Sequence, residues 1–204
     1  MFEAIVDGLA EQGYAVADHF LSREELDLLR NELHRQFAQG EFKAAGIGQG
    51  QEYQRRNDIR GDYIRWIDRE NLAADCHFLL DRLEALAQFL NETCYLGIRN
   101  AEFHFALYPA GSFYKRHLDV FHKTKARKIS VICYLNADWQ AEQGGQLRLY
   151  VPDNEGNEVA IDVLPQGGRM VCFKSDMLEH EVLPATRERL SVTGWLRSDD
   201  GILG

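Results

Sequence analysis

The second half of this chain is a series of short segments in which apolar and polar residues alternate, separated by glycine, proline, asparagine and aspartate. Alternation with a period of two indicates β-strands, because successive side chains of a strand point to opposite faces. We predict strands at residues 102–108, 113–119, 128–136, 145–151, 158–163, 169–173, 179–183 and 188–196. Eight short strands with turn residues between them predict a jelly-roll or cupin-like double sheet, that is, a double-stranded β-helix.

The first half of the chain has helical patterns instead. Residues 2–12 are predicted to form a short amphipathic helix, and residues 14–18 a strand. The sequence Ser-Arg-Glu-Glu at 22–25 is a capping box, which predicts a helix from there to about residue 38. Apolar residues at helical spacing predict another helix at 71–89. The fold class is therefore mostly β, with N-terminal helices that support the jelly-roll core.

The length of 204 residues fits one domain. We expect helical support over about residues 1–100 and the jelly-roll core over about 101–197. Within the first of these two parts, residues 40–58 contain four glycines and no apolar period. Such a segment is usually a surface loop, and its length also suits a mobile loop that covers a substrate.

Composition excludes several classes of protein. A formal net charge of −9 argues against a general binder of nucleic acid or of anionic membranes. No segment is apolar and long enough to span a bilayer, and the acidic N-terminus does not resemble a secretory signal. The four cysteines lack the spacing of a zinc site, which predicts reduced, buried thiols. We expect a cytoplasmic monomer.

A candidate metal site comes from His117, Asp119 and His180. On a strand, His117 and Asp119 would project from the same face, and His180 would come from a different strand. Two imidazoles and one carboxylate are the ligands of the facial triad of non-haem Fe(II) oxygenases. A histidine and an aspartate two apart also suit a solvated strand end, so the prediction depends on all three residues.

The last predicted strand supplies a candidate carboxylate site. One of its faces carries Arg189, Ser191, Thr193 and Trp195. An arginine inside a barrel needs a partner, because burying a lone charge is very costly, and the carboxylate of a ligand would provide one. Tyr134 could offer a hydroxyl to the same carboxylate, and Ile132 an apolar wall. Taken singly, Arg189 also suits a rim ion pair and Tyr134 a place in the core.

Six motifs occur in order along the chain: Tyr108-Pro-x-Gly, Tyr114-x-Arg-His117-x-Asp119, Tyr134-Leu-Asn, Gly144-Gly145-x-Leu, His180-Glu-Val-x-Pro and Arg189-x-x-x-Thr193-x-Trp195. A seventh is Ile59-Arg-Gly-Asp-x-Ile-x-Trp66-Ile. Together they resemble the 2-oxoglutarate- and Fe(II)-dependent prolyl hydroxylases. Within that family the chain looks most like the oxygen-sensing prolyl hydroxylase domain group and its bacterial relatives, over about residues 55–197.

The resemblance implies roles for individual residues. Fe(II) would be bound by His117, Asp119 and His180. The co-substrate 2-oxoglutarate would be held by Arg189 and Tyr134, with Thr193 in support, Tyr108 near its iron-chelating end and Ile132 as the apolar wall. The substrate side would include Arg127, Asp62, Arg60, Trp66 and Tyr114, with Asp62 and Arg127 as a charge pair. Histidine 104 lies on the same strand face as Tyr108, where we expect a packed or solvated side chain.

The implied activity is the hydroxylation of a prolyl residue, at C-4, in a protein or peptide. The reaction would use O2 and convert 2-oxoglutarate to succinate and CO2, with stimulation by ascorbate (vitamin C). Asp119 favours hydroxylation over halogenation, since related halogenases lack this carboxylate. Arg55, Arg56, Arg60 and Arg65 could meet an acidic or polar loop of the partner. A translation factor such as elongation factor Tu is a candidate target by family analogy.

Three other functions fit parts of the pattern. An oxygenase of free proline or of another small metabolite would use the same site, and would turn over the amino acid but no peptide. A sensing module without catalysis could retain the barrel, although it would not need every site residue. A cupin-like zinc or manganese enzyme would leave Arg189 without an obvious partner.

Overall fold

Two antiparallel sheets face each other, and α-helices cover the outer side of the larger sheet. The computed structural model describes residues 1–46, 56, 58–120, 126–153 and 155–199. The helices are α1 (Phe2–Glu11), α2 (Arg23–Ala38) and α3 (Phe78–Cys94).

Strands of the larger sheet come from both halves of the chain. In spatial order they are β1 (Tyr14–Ala17), β9 (Met170–Lys174), β6 (Arg127–Tyr134), β11 (Arg189–Arg197), β4 (Asn100–Tyr108), β3 (Tyr63–Ile67) and β2 (Lys43–Ala44). The smaller sheet has the order β5 (Tyr114–His117), β10 (His180–Val182), β7 (Leu147–Pro152) and β8 (Glu158–Val163). This arrangement confirms the predicted double-stranded β-helix with N-terminal helices.

Each of the eight predicted strands is present, because the alternation of the sequence matches the two environments of the larger sheet. On β11, Leu190, Val192 and Leu196 face the helices and join the main apolar core. On β6, Ile132 and Tyr134 face the smaller sheet and pack there against residues such as Leu149. The faces of β6 and β11 that point away from the helices therefore line the space between the two sheets, and these faces carry the candidate site residues.

Local side-chain contacts shift some predicted boundaries. The capping box is formed, with the Ser22 hydroxyl accepting from the Glu25 amide at 3.2 Å. The helix predicted at 71–89 begins later, at Phe78, because the Asp68 carboxylate accepts from the amide of Asn71 and holds a turn there. Strand β5 ends at His117, two residues earlier than predicted.

The structure also bears on the predictions for the cysteines, for the loop at residues 40–58 and for membrane-spanning segments. The cysteines are free thiols, three of them buried and Cys94 partly buried, as expected for reduced thiols. Most of the loop predicted at residues 40–58 lies outside the described residues, namely 47–55 and 57. None of the described helices combines the length and apolar character that crossing a membrane requires.

The cap of α2 can be tested by stability. Ser22→Ala is expected to lower the free energy of unfolding by about 1 kcal/mol, because the alanine methyl cannot accept the Glu25 amide hydrogen. Ser22→Gly should cost only a few tenths of that amount, since glycine is itself tolerated at this position. Urea denaturation measures both. An unchanged free energy of unfolding in Ser22→Ala would show that the hydroxyl does not stabilise the helix.

Candidate active site

The three predicted metal ligands lie together at the smaller sheet. His117 on β5 is directly paired with His180 on β10, and Asp119 follows two residues after β5. One ligand atom from each residue can be chosen so that all three lie within 4.8 Å of one another. The Nε2 atom of each histidine is 3.5 Å from a carboxylate oxygen of Asp119. This is the spacing of a metal site, and these residues form the one such group among the described residues.

Backbone carbonyls fix both imidazoles in the tautomer that a metal needs. Nδ1 of His117 is 2.7 Å from the carbonyl oxygen of Lys115, and Nδ1 of His180 is 3.2 Å from that of Leu178. A carbonyl can only accept, so each Nδ1 donates and each Nε2 keeps its lone pair for the metal. Burial lowers the pKa of His180 to about 4, so this imidazole is neutral near pH 7.

The carboxylate of Asp119 is held by a serine pair on the larger sheet. The Ser130 hydroxyl donates to Oδ2 of Asp119 at 2.7 Å, and its oxygen is 2.9 Å from the Ser175 hydroxyl. Burial opposes ionisation, but the two imidazoles and the Ser130 hydroxyl hold the pKa of Asp119 well below its usual range. The third ligand is therefore an oriented anion, although it lies outside the strand that was predicted to carry it.

Arg189 lies on β11 in the interior, where it is 1% exposed. Its Nε donates to the Gly145 carbonyl at 2.9 Å, and its Nη2 has no partner. Gly145 has a φ of +72°, and a Cβ there would lie 3.0 Å from Trp139 and 3.4 Å from Arg189 Cδ. A glycine is therefore required for the loop to approach the guanidinium so closely.

A second unpartnered polar atom lies beside Arg189. The Tyr134 hydroxyl is buried without a hydrogen bond, and its ring centre is 5.1 Å from Arg189 Cζ. Burial raises the pKa of Tyr134 to about 12, so the hydroxyl keeps its proton as a donor. On the other side, the Tyr108 ring centre is 5.2 Å from the same Cζ. Two unmet donors of this kind fit the far carboxylate of 2-oxoglutarate.

The metal ligands and Arg189 open into one cavity of about 960 Å³. Of the predicted co-substrate residues, Tyr108, Ile132 and Thr193 also line it. Tyr134 does not line the cavity and lies next to Arg189 instead. The metal donor set and the unmet donor of Arg189 share this cavity, so the residues present fit a metal ion together with a dicarboxylic 2-oxo acid.

The residues predicted for the substrate side are at the same cavity, but their pairing differs from the expectation. Arg60 donates to both carboxylate oxygens of Asp62, at 2.7 and 2.6 Å, and stacks over the Tyr114 ring at 4.2 Å. Arg127 donates to Glu102 at 2.8 and 2.9 Å. The expected pair of Asp62 with Arg127 is thus replaced by two pairs with other partners, since Asp62 and Glu102 are the carboxylates that these arginines reach.

Sequence reasoning missed a polar and aromatic wall built by four strands, β3, β4, β6 and β11. Glu102 binds both Arg127 and Arg197, and Arg127 stacks on the Trp195 ring at 3.4 Å. His104 packs between Trp66 and Trp195, with ring-centre distances of 4.9 and 5.6 Å. Alternation along β4 places Glu102 and His104 on the same strand face as Tyr108, and this pattern is the sequence signal that could have identified them.

A family model described as the 2OG-Fe(II) oxygenase superfamily matches residues 103–197. The match therefore begins in β4 and ends with β11, and it includes the three metal ligands and Arg189. The match thus covers most of the strands that line the cavity, but not β2 and β3.

Individual relatives are similar over almost the whole chain. The hypoxia-inducible factor prolyl hydroxylase of Caenorhabditis elegans is 32% identical over 95% of this chain, which spans only 28% of that protein's length. A solved prolyl-4-hydroxylase of Pseudomonas putida is 42% identical with a TM-score of 0.87, covering 98% of this chain and 100% of that one. A Trichoplax adhaerens prolyl hydroxylase, solved with a peptide fragment of the hypoxia inducible factor oxygen degradation domain, is 28% identical with a TM-score of 0.83, covering 97% and 89%.

Removing either of two ligands should abolish metal binding. His117→Ala and Asp119→Ala are expected to lose the single Mn(II) site measured by isothermal titration calorimetry, because two ligands cannot hold the ion as three do. Circular dichroism should show a retained fold. His34→Ala, at a half-exposed histidine in contact with Glu188, is the matched control and should bind as the parent does. Unchanged binding by the two ligand variants would refute the assigned site.

Arg189 can be tested by co-substrate affinity. Arg189→Ala should weaken 2-oxoglutarate binding at least about tenfold, the effect of a lost charge-assisted hydrogen bond. Calorimetry in the presence of Mn(II) measures this affinity, with Arg187→Ala at a nearby exposed arginine as the control. Arg189→Lys should also bind weakly, since an ammonium cannot form the bidentate fork. Equal affinity in all three variants would place the carboxylate elsewhere.

Proposed function

Since the chain belongs to the 2OG-Fe(II) oxygenase superfamily, with prolyl hydroxylases as its similar relatives, we propose that it hydroxylates a prolyl residue, at C-4, in a protein or peptide. One observation carries the proposal. A His-Asp-His group and a buried arginine with an unmet donor share one cavity, so a metal and a dicarboxylate can meet there. The cofactors would be Fe(II), 2-oxoglutarate and O2.

Bound Fe(II) with 2-oxoglutarate supplies the oxidation that converts a C–H bond to C–OH while succinate and CO2 are formed. The chain itself supplies ligand geometry and orientation. His117, Asp119 and His180 would hold the metal ion through three of its ligand positions. The guanidinium of Arg189, with the Tyr134 hydroxyl beside it, would hold the far carboxylate of the co-substrate and so orient its other end toward the metal.

The cavity has room for a prolyl group of the substrate beside the co-substrate. Small-molecule sites usually have volumes of roughly 300–1,000 Å³. The cavity of about 960 Å³ is at the upper end of that range, so it has room beside a small dicarboxylate. Trp66 and Tyr114 line it, and aromatic faces of this kind suit the apolar ring of proline.

The pairing of the arginines favours one of the two partners suggested by the sequence, a polar loop over an acidic one. Among the described arginines of the expected cluster, Arg56 pairs with Asp58, Arg60 with Asp62 and Arg65 with Glu41. Arg55 lies outside the described residues. Since each of these pairs is neutral as a unit, we propose a polar chain of low net charge as the substrate, in place of a strongly acidic loop.

Several finer expectations stay predictions. Elongation factor Tu is the candidate target by family analogy, and stimulation by ascorbate is expected from the same resemblance. A cytoplasmic monomer that binds neither nucleic acid nor membrane is expected from the net charge of −9 and the composition. Each is settled by experiments on the purified protein and on cells.

Mass spectrometry of a cell extract tests the proposed activity. The extract is incubated with purified protein, Fe(II), 2-oxoglutarate and air, and peptides are searched for the gain of one oxygen. We expect the gain on a specific proline, dependent on every component, because the oxidation needs metal, co-substrate and substrate together. His117→Ala should give no product, and His34→Ala should give as much as the parent.

Other outcomes would change the assignment. Succinate formed on addition of free proline, with no modified protein, would assign the chain to the small-metabolite oxygenases. Tight binding of Fe(II) and 2-oxoglutarate with no product of either kind would contradict an enzymatic function and favour a sensing module.

A further inference from the structure

Two buried ring nitrogens outside the metal and co-substrate sites have no hydrogen-bond partner. They are Nδ1 of His104 and Nε1 of Trp195, in side chains that are 3% and 8% exposed. A buried polar atom left without a partner is unfavourable. Both residues line the cavity, although the two nitrogen atoms are themselves closed off, so a ligand in the cavity could reach them once a neighbouring side chain moved.

Sheet register places the two rings next to each other. His104 on β4 is paired with Thr193 on β11, and Trp195 is two residues farther along the same face. Their ring centres are 5.6 Å apart, with an angle of 33° between the planes. Trp66 packs against both rings, at 4.9 and 6.3 Å, and is 44% exposed. The Trp66 ring is therefore the side chain that would turn outward to admit a ligand.

The chemistry of the two nitrogens restricts the ligand. The Trp195 indole donates only, whereas a neutral imidazole can donate or accept. Burial and the nearby Arg60 lower the pKa of His104 to about 3, which keeps the ring neutral. Arg127, stacked on Trp195, is paired with Glu102, so no excess positive charge favours an anion here. A neutral group with adjacent acceptor and donor atoms fits best.

We propose that His104 and Trp195 form a subsite for one backbone peptide group of the substrate. The carbonyl accepts the indole N–H of Trp195, and an N–H of the same backbone donates to His104. This inference rests on the proposed function and adds to it, because such a subsite distinguishes a peptide from a free amino acid. His104 and Trp195 thus act as specificity-determining residues beside the reacting proline.

Nuclear magnetic resonance of ¹⁵N-labelled protein tests the subsite without any turnover. The three tryptophans give three indole N–H signals, which Trp→Phe variants assign. The protein is loaded with Zn(II) and 2-oxoglutarate and titrated with N-acetyl-L-proline methylamide or with L-proline. We expect the blocked compound, which contains peptide groups, to shift the Trp195 signal. L-Proline should leave that signal in place.

Variants of His104 measure its share of the binding. His104→Phe keeps an aromatic ring between the two tryptophans and should weaken binding of the blocked compound about fivefold to tenfold, as for a lost hydrogen bond. His104→Gln retains a donor and an acceptor and should bind more tightly than His104→Phe. His34→Phe, at the half-exposed histidine, should bind as the parent does.

An unmoved Trp195 signal at millimolar probe would overturn the subsite, and so would equal affinity of His104→Phe and the parent. These results are separable from a failure of the proposed function. A modified proline in the extract together with an unmoved Trp195 signal would keep the activity and remove the subsite. A shifted signal with weakened His104→Phe, but no modified protein, would keep the subsite and refute the prolyl hydroxylation.

Discussion

A buried guanidinium with an unmet donor is the constraint on which this active site depends. Arg189 is 1% exposed, and its Nε donates to the carbonyl of Gly145. Burial of a charge without a matched partner is strongly unfavourable, so an anion bound at this place would stabilise the site. The Tyr134 hydroxyl adds a second unmet donor at the same place. A carboxylate of the co-substrate would accept hydrogen bonds from both donors, so binding of the co-substrate would stabilise the site.

The metal side of the cavity depends on the pairing of two short strands. Register places His117 opposite His180, and backbone carbonyls two residues before each histidine orient the rings. Asp119 lies beyond the end of β5, and the Ser130 hydroxyl of the opposite sheet holds its carboxylate in place. Both sheets therefore contribute to one metal site, and the double-sheet fold is what brings them together.

Much of this could be predicted from the sequence, since period-two alternation determines which face each residue of a strand takes. That rule located the eight core strands and the inward position of Arg189, whereas the candidate metal ligands were chosen by residue type and spacing. It did not identify Asp62, two residues along the same segment, as the partner of Arg60. Nor could it identify Glu102 as the partner of Arg127, because that pair depends on the distance between two separate strands. His104 was treated as an ordinary packed or solvated histidine for the same reason. Only the packed structure shows that Nδ1 of His104 lacks a hydrogen-bond partner.

A crystal structure grown without oxygen, with Mn(II) and 2-oxoglutarate, tests the central claim most directly. We predict the ion between His117, Asp119 and His180, and the far carboxylate of 2-oxoglutarate in contact with Nη2 of Arg189 and the Tyr134 hydroxyl. A metal bound by other residues, or a co-substrate whose carboxylate leaves Arg189 without a partner, would contradict this account of the site.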